Sequence, residues 1–376
     1  MIDRLRLVPP PSGETEHLHD LRMQVREFLT EQRNSGAFTP SVDSWMTGWD
    51  RDFSVALADR GWIGMTIPRQ YGGRGRSFVE RFIVTEELLA AGAPVAAHWI
   101  ADRQMAPSIL KYGTPSQKQR FLPGIADASE YWAIGMSEPD SGSDLASVRT
   151  AATRTDDGWL VNGAKVWTSG AHHANWLMTL ARTSSVDPTN RHGGLSQFIV
   201  DLSAPGVQVR PIVSMNGAHH FNEVILDNVR VPDDRVFGEI GAGWHQVTSE
   251  LSFERSGPER ILSTFPILQG LTRQAAASSA ELGRLVARVA GLHQMSQSVG
   301  EALSRGESAS VPAAVVKVLG TGTEGDIADL ADQLSTDADG LPELVNAGVD
   351  QRPGFTIRGG SSEVLRGVIA REMGLR

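Results

Sequence analysis

The chain has 376 residues, 40% of them hydrophobic and 21% charged, with a net charge of −9 and no cysteine. That is enough ordinary globular sequence for two or three structural units. It lacks the basic field of a nucleic-acid binder, and it excludes disulfides, thiolate metal sites and thiol nucleophiles. No stretch approaches the roughly 18 apolar residues of a membrane span, and no apolar run follows Met1–Arg6, so a soluble, cytoplasmic protein is expected.

The first zone is helical. After the Pro9-Pro10-Pro11-Ser12-Gly13 run, Leu18, Leu21, Val25, Phe28 and Leu29 recur at three- and four-residue steps, which places them on one helix face. Trp45, Trp49, Phe53 and Leu57 predict a second helix, and Phe78, Phe82, Thr85, Leu88 and Leu89 a third. Gly72-Gly73-Arg74-Gly75 reads as a loop. From Tyr131 to about Val236 the period shortens. Gly158 to Trp167 reads as strand, Asn162-Gly163 turn, strand, because both turn residues tolerate positive φ. Trp176–Leu180, Gln197–Asp201, Val207–Pro211 and Glu223–Leu226 read as further strands, with a polar loop over Arg182–Gly194. Beyond Gly243 the pattern is helical again over Glu281–Leu303, Val311–Leu334 and Ser362–Glu372. The expected domains are 1–129, helical; 130–240, a β domain; and 241–376, a C-terminal four-helix bundle.

Four segments carry candidate chemistry. Met136 to Asp144 is rich in Ser, Gly and Asp. It can expose backbone N–H groups and hydroxyls to a phosphate or a flavin edge, or be a plain capped loop. Lys165-Val166-Trp167-Thr168-Ser169-Gly170 can lay an indole against a flat ring, or hold a core Trp. Leu251-Ser252-Phe253-Glu254-Arg255 sets one carboxylate among apolar groups, which would raise its pKa toward that of a general base. The alternative is a solvated Glu paired with Arg255 or Arg260. Thr356 to Arg366 runs through Gly359-Gly360-Ser361-Ser362-Glu363. It reads as a helix N-terminus suited to polar or anionic groups, or as a simple N-cap. His172-His173 and His219-His220 form no convincing metal-ligand set, and no metal is expected.

Taken in order, these segments resemble the acyl-CoA dehydrogenases over most of the chain. The family's Thr/Ser-Glu-Pro-x-x-Gly-Ser-Asp segment is matched by Ser137–Asp144, and its Asn-Gly-x-Lys-x-Trp-x-Thr/Ser segment by Asn162–Ser169. Asp227–Pro232 matches Asp-x-Val-x-Val-Pro, and Gly360–Arg366 matches Gly-Thr/Ser-x-Glu-x-x-Arg. The resemblance implies the family fold, an α+β chain with helical, β-sheet and helical domains, and it implies FAD. Met136 and Ser137 would lie along the flavin and Ser143 would reach the diphosphate. Trp167 would flank the isoalloxazine, Thr168 and Ser169 would meet its N5 and O4 edge, and Ser361 and Glu363 would touch FAD further along.

The resemblance also implies α,β-dehydrogenation of an acyl-CoA to the trans-2-enoyl-CoA, with flavin N5 as hydride acceptor and an electron-transfer flavoprotein or similar carrier as oxidant. The enolate oxygen would be held by a backbone N–H near the C-terminal loop and a ribose hydroxyl of FAD. Members place the base either just before the C-terminal Gly-Thr/Ser, where this chain has Gly359, or in a Leu-x-x-Glu-Arg helix, where it has Glu254. Two FAD-gripping segments of homotetrameric members, Arg-x-x-Phe-Gly and Gln-x-x-Gly-Gly-x-Gly, are replaced by Ala280–Leu285 and Leu319–Gly325. The chain therefore resembles one half of a heteromeric enzyme of bacterial steroid catabolism, an α2β2 tetramer with a sister chain. The alternative is a homo-oligomer in which other local residues, such as Arg273 or Arg284, grip the FAD instead. A flavin monooxygenase or oxidase on the same fold, and a non-catalytic partner subunit, stay open as rival functions. Pro258 and Pro266 predict a kink or break after Glu254.

Overall fold

The computed structural model describes residues 13–254, 257–274, 280–307, 309–334 and 340–375, without the side chains of 251–254. These residues fall into two compact units, one drawn from within 1–53, 76–96 and 252–376, the other made of 54–75 and 97–251.

The first unit is helical. Helix α1 (Glu16–Asn34) starts at Thr15, whose hydroxyl accepts from Leu18 N, and it buries Leu21, Val25, Phe28 and Leu29. The single helix expected from Trp45 to Leu57 is two, α2 (Ser44–Thr47) and α3 (Arg51–Asp59). Gly48 separates them. A Cβ there would lie 2.9 Å from Pro94 Cα, and Asp50 begins α3 by accepting from Phe53 N at 2.9 Å. The four-residue spacing survives a break because each half buries its own apolar residues. Helix α4 (Phe78–Ala90) opens with a reciprocal Ser77–Glu80 capping box and packs on α1. In the second unit, helix α5 (Ala96–Ile100) continues through a π turn into α6 (Ala106–Tyr112), followed by α7 (Pro115–Ala126).

Eight strands form one sheet among the described residues. They are β1 (Trp132–Gly135), β2 (Ala151–Thr155), β3 (Gly158–Lys165), β4 (Trp176–Arg182), β5 (Leu195–Asp201), β6 (Val207–Ile212), β7 (Phe221–Val231) and β8 (Val236–Phe237). Their order is β6-β7-β3-β2-β4-β5-β8, with β1 parallel to β4. Ile109, Phe121, Ile125, Trp132, Trp176 and Met178 build one apolar cluster of this unit, and Val161, Leu177, Phe198, Val224 and Val229 belong to another.

The expected Asn162-Gly163 turn does not form. β3 runs straight through it, and the hairpin turns at Asp156-Asp157 instead, with Thr155 opposite Gly158. The glycine answers a different need: a Cβ at Gly163 would fall 2.3 Å from Thr150 Oγ1. Beside it the β3–β7 register slips between Val161 and Gly163. Two β7 residues, Asp227 and Asn228, face Asn162 in a bulge. Asn228 takes a left-handed φ of 50°, and its N–H is held by Asn162 Oδ1 at 2.8 Å.

Helix α8 (Gly243–Glu254) ends at Glu254, and the next turn starts at Pro258, so the chain breaks where its prolines predict. Helices α9 (Phe265–Arg273), α10 (Ala280–Ser304), α11 (Ser310–Leu334), α12 (Leu341–Phe355) and α13 (Ser362–Glu372) complete the helical unit. Helix α11 packs on α10, α12 and α13. Helix α12 has no counterpart in the sequence reading. Pro342, Pro353 and Gly354 all argue against a helix, and only Leu341, Gly348 and Phe355 are buried along it.

Candidate active site

Within the sheet unit, two of the candidate segments become neighbours. β1 delivers Met136 and Ser137, and β3 delivers Lys165 and then Trp167. Val166 N donates to Ser137 O at 2.9 Å. Lys165 is fully buried. Its Nζ donates to Met136 O at 3.1 Å and to Glu138 Oε1 at 2.8 Å. Glu138 also accepts from Arg149 N at 2.6 Å and Thr150 N at 2.9 Å, while its own backbone closes a tight turn with Ser141. A carboxylate with three donors and a lysine with two acceptors is a satisfied buried pair. It clamps the loop after β1 onto the strand that carries Trp167.

The titration of the pair follows from burial and charge. Burial pushes the Lys165 ammonium down to about 8 against the attraction of Glu138, so it stays charged at neutral pH. Burial alone would raise Glu138. The charge of Lys165 and the hydrogen bonds outweigh it and hold the carboxyl below its ordinary range.

The far end of the loop is open. Ser143 is exposed, and a Cβ at Gly142 would meet nothing within 4 Å. Asp144 is tied back by Arg191 at 2.7 Å, and its carbonyl accepts from Ser141 Oγ at 2.8 Å. Met136 packs beside Val148, Leu180, Leu195 and Val247.

Trp167 is not the core residue that its type suggests. It is 58% exposed and sits at a left-handed φ of 58°. That conformation is rare for a bulky side chain and costs on the order of 1–3 kcal/mol. One contact with Phe221, edge-on at 5.6 Å, steadies the ring. Thr168 is buried, and its Oγ1 has no hydrogen-bond partner among the described residues. An exposed flat ring beside an orphaned buried hydroxyl fits a flat heteroaromatic ligand with polar edge atoms. Ser169 follows, half-buried.

In the helical unit, Gly359 and Gly360 both have left-handed φ, 69° and 89°, and Ser361 caps α13, its hydroxyl accepting from Val364 N. Glu363 is exposed in the first turn. Arg358, just before the glycines, is paired with buried Asp43 at 2.7 Å and lies over the Trp45 ring at 4.8 Å. The side chain of Glu254, with Arg255, lies outside the described residues. Arg260, one suggested partner for Glu254, is buried over the Trp45 ring at 4.8 Å.

The segment standing where one FAD-gripping motif was expected, Leu319–Gly325, belongs to α11, and most of it faces inward. Gly320, Thr321, Thr323, Glu324 and Gly325 are buried, and Glu324 Oε1 accepts from Ser263 N at 2.8 Å. Arg284 lines a charged groove with Glu281, Arg288, Asp326 and Asp329. Among the described residues no group of three or more His, Asp or Glu side chains is placed to hold a metal ion.

The sequence motifs marked Glu138 and Lys165 without giving them a role, and Asn222 went unnoticed. A lysine at the end of an apolar strand, in phase with Val161 four residues before it, was the available signal for Lys165.

The acyl-CoA dehydrogenase N-terminal domain model matches residues 15–129, and the acyl-CoA dehydrogenase middle domain model matches 133–229. Acyl-CoA dehydrogenase IpdE1 of Mycobacterium tuberculosis is 37% identical over 386 residues, covering 96% of this chain and 98% of the relative. The chain belongs to the acyl-CoA dehydrogenase family. It is thus an oxidoreductase of a flavoprotein family that dehydrogenates acyl-CoA thioesters, with the family's helical, β-sheet and helical arrangement. Among solved structures, the Tcur3481-Tcur3483 steroid ACAD superposes with a TM-score of 0.83 at 28% identity, covering 97% of this chain and 99% of that one. The ChsE4-ChsE5 complex from Mycobacterium tuberculosis does so with a TM-score of 0.81 at 30% identity and the same coverage. Among the described residues no helix is long and apolar enough to cross a membrane.

Proposed function

We propose that this acyl-CoA dehydrogenase uses FAD and converts an acyl-CoA to its trans-2-enoyl-CoA, with Glu254 as the base. The observation that carries the FAD assignment is the pairing of Ser137 with Val166 beside the unpartnered Thr168 hydroxyl. Met136 and Ser137 would line the flavin, and Ser143, exposed beside an open glycine, would take the diphosphate. Trp167 would cover the ring, and Thr168 and Ser169 would donate to its polar edge. Ser361 and Glu363 would hold FAD further along. When bound, FAD supplies the hydride acceptor.

Glu254 would take the α-proton, which the thioester carbonyl acidifies. Gly359 leaves the other position used in the family without a carboxylate. We keep the functional domains at 1–129, 130–240 and 241–376. A cytoplasmic enzyme passing electrons to an electron-transfer flavoprotein completes the reading.

For assembly we propose a hetero-oligomer with a sister chain, an α2β2 tetramer. The inward-facing Leu319–Gly325 segment supports it, as does the likeness to a complex of two named chains, ChsE4 and ChsE5. A steroid-derived acyl group is the proposed substrate class, by likeness to the steroid ACAD.

The test is anaerobic flavin reduction. The purified enzyme, co-expressed with its sister chain if alone it is colourless, is mixed with fatty acyl-CoAs and with CoA thioesters of steroid acids. Glu254→Gln should keep the flavin bands and slow reduction by about 10²–10⁴. Reduction near the parent rate would remove Glu254 as the base.

A further inference from the structure

The Trp167–Ser169 turn has a support outside every motif. Asn222, fully buried in β7, meets Thr168 three times. Its N–H donates to Thr168 O at 3.0 Å, its carbonyl accepts from Thr168 N at 3.0 Å, and its side-chain Nδ2 donates to the same Thr168 O at 3.0 Å. The amide then continues outward. Nδ2 lies 3.0 Å from His172 Nδ1, and Oδ1 lies 2.9 Å from His219 Nε2. The His172 and His219 rings stack with centroids 4.1 Å apart at 23°.

These contacts fix the protons. A carbonyl oxygen only accepts, so the Asn222 atom facing Thr168 O is the NH2 group. His172 Nδ1 then faces a donor and must keep its lone pair, while His219 Nε2 faces an acceptor and must carry hydrogen. His172 is neutral, with its proton on Nε2. A second proton would arrive on Nδ1, directly against the Asn222 N–H, and would break that bond. The titratable groups facing His172 are His173 on its own turn and His219 and His220 on the segment leading into β7. Partial burial of the ring, then His173 and His219, push it down to about 4.

We propose that Asn222 is the positioning residue of the flavin-edge turn, that its amide is held in register with Thr168 by neutral His172 on Nδ2 and by the His219 N–H on Oδ1, and that proton uptake by His172 releases the turn. The proposal rests on the reading of Trp167–Ser169 as a flavin contact, but its first test does not.

The protein, labelled at histidine, is titrated by imidazole NMR, with His172→Phe assigning the signal. His172 should show the Nε2–H tautomer and stay neutral to about pH 5. Asn222→Asp, which can no longer donate to Nδ1, should raise the His172 titration by at least about one unit. An Nδ1–H tautomer, or titration near the ordinary histidine value, would overturn the assignment whether or not the enzyme acts on acyl-CoA.

The second measurement is FAD affinity against pH. His172→Phe keeps a ring in the stack at an exposed position and removes only the acceptor, so the fold should survive even where Asn222→Asp does not. It should weaken FAD binding roughly five- to tenfold, the worth of about one hydrogen bond, and should abolish the acid-side loss of affinity. Parent affinity together with a parent pH profile would overturn the positioning role.

Discussion

Replacing Lys165 with Met tests the clamp at the centre of the site. The change keeps an unbranched side chain of similar bulk and removes the ammonium. It strands Glu138, which is 8% exposed, and takes a donor from Met136 O. Breaking a buried pair by removing one partner costs about 3–5 kcal/mol. Glu138 keeps its bonds from Arg149 N and Thr150 N, so the lower end, about 3 kcal/mol, is expected. The pH dependence follows from the same geometry. In the parent, Glu138 titrates below its ordinary range, so its contribution is present above the unfolded-state value and is lost only as pH falls through the lower folded value. In the variant, burial acts without Lys165, and Glu138 takes up its proton at higher pH. The deficit should therefore narrow from about pH 7 to about pH 5, a window in which parent Lys165, at about 8, stays charged. Urea unfolding followed by Trp fluorescence measures both effects, and the flavin bands report whether the loop has moved. A variant within about 1 kcal/mol of the parent, with a deficit that ignores pH, would refute the clamp.

Trp167→Gly should release left-handed strain on the order of 1–3 kcal/mol, leaving unfolding midpoints equal or higher while flavin retention falls; loss of stability would show that the exposed ring packs more than its single Phe221 contact. Gly320→Ala would put a Cβ 2.1 Å from Arg260 O, and urea midpoints should report a loss of about 1–3 kcal/mol. Burial pushes the Glu324 carboxyl up to about 7, so the ionised group disfavours folding as pH rises from the unfolded-state value through about 7; Glu324→Gln should gain stability relative to the parent on going from about pH 5 to about pH 8, read from midpoints at the two ends. Expressed alone, the chain should retain FAD weakly, and co-expression with a sister chain carrying Arg-x-x-Phe-Gly and Gln-x-x-Gly-Gly should yield a yellow complex. A self-sufficient homo-oligomer with one tight FAD per chain would remove the need for a partner.

The zones of the fold were legible because period-two and period-3.6 patterns alternate cleanly along the chain. What misled was a residue serving two grammars. Asn162-Gly163 spells a turn, yet the glycine is there for Thr150 and the asparagine for the bulge at Asn228. Helix α12 was hidden by its prolines: Pro342 sits in the first turn, where a helix tolerates it, but Pro353 lies inside the helix, where proline ordinarily breaks one. Ser137 and Trp167 were visible through motif spacing, whereas Asn222 was not. Its partner Thr168 is 54 positions away, and a lone Asn at the start of a strand has no local signature. The proposal of Glu254 as base rests on its Leu-x-x-Glu-Arg context alone, since its side chain lies outside the described residues.

The site can also be recognised by what folding alone would not choose. A fully buried lysine, a left-handed tryptophan exposed to solvent and a buried threonine hydroxyl without a partner among the described residues occur within four residues, Lys165 to Thr168. An apolar pair in place of Lys165 and Glu138 is often at least as stable, and negative φ costs a bulky side chain less. Each exception instead places something at the end of β3. The ion pair brings Met136 and Ser137 to Val166, the positive φ turns the indole outward, and Asn222 fixes the carbonyl of Thr168 so that its hydroxyl is the group left over. Local costs that converge on one turn are the signature of a binding edge rather than of a weak fold.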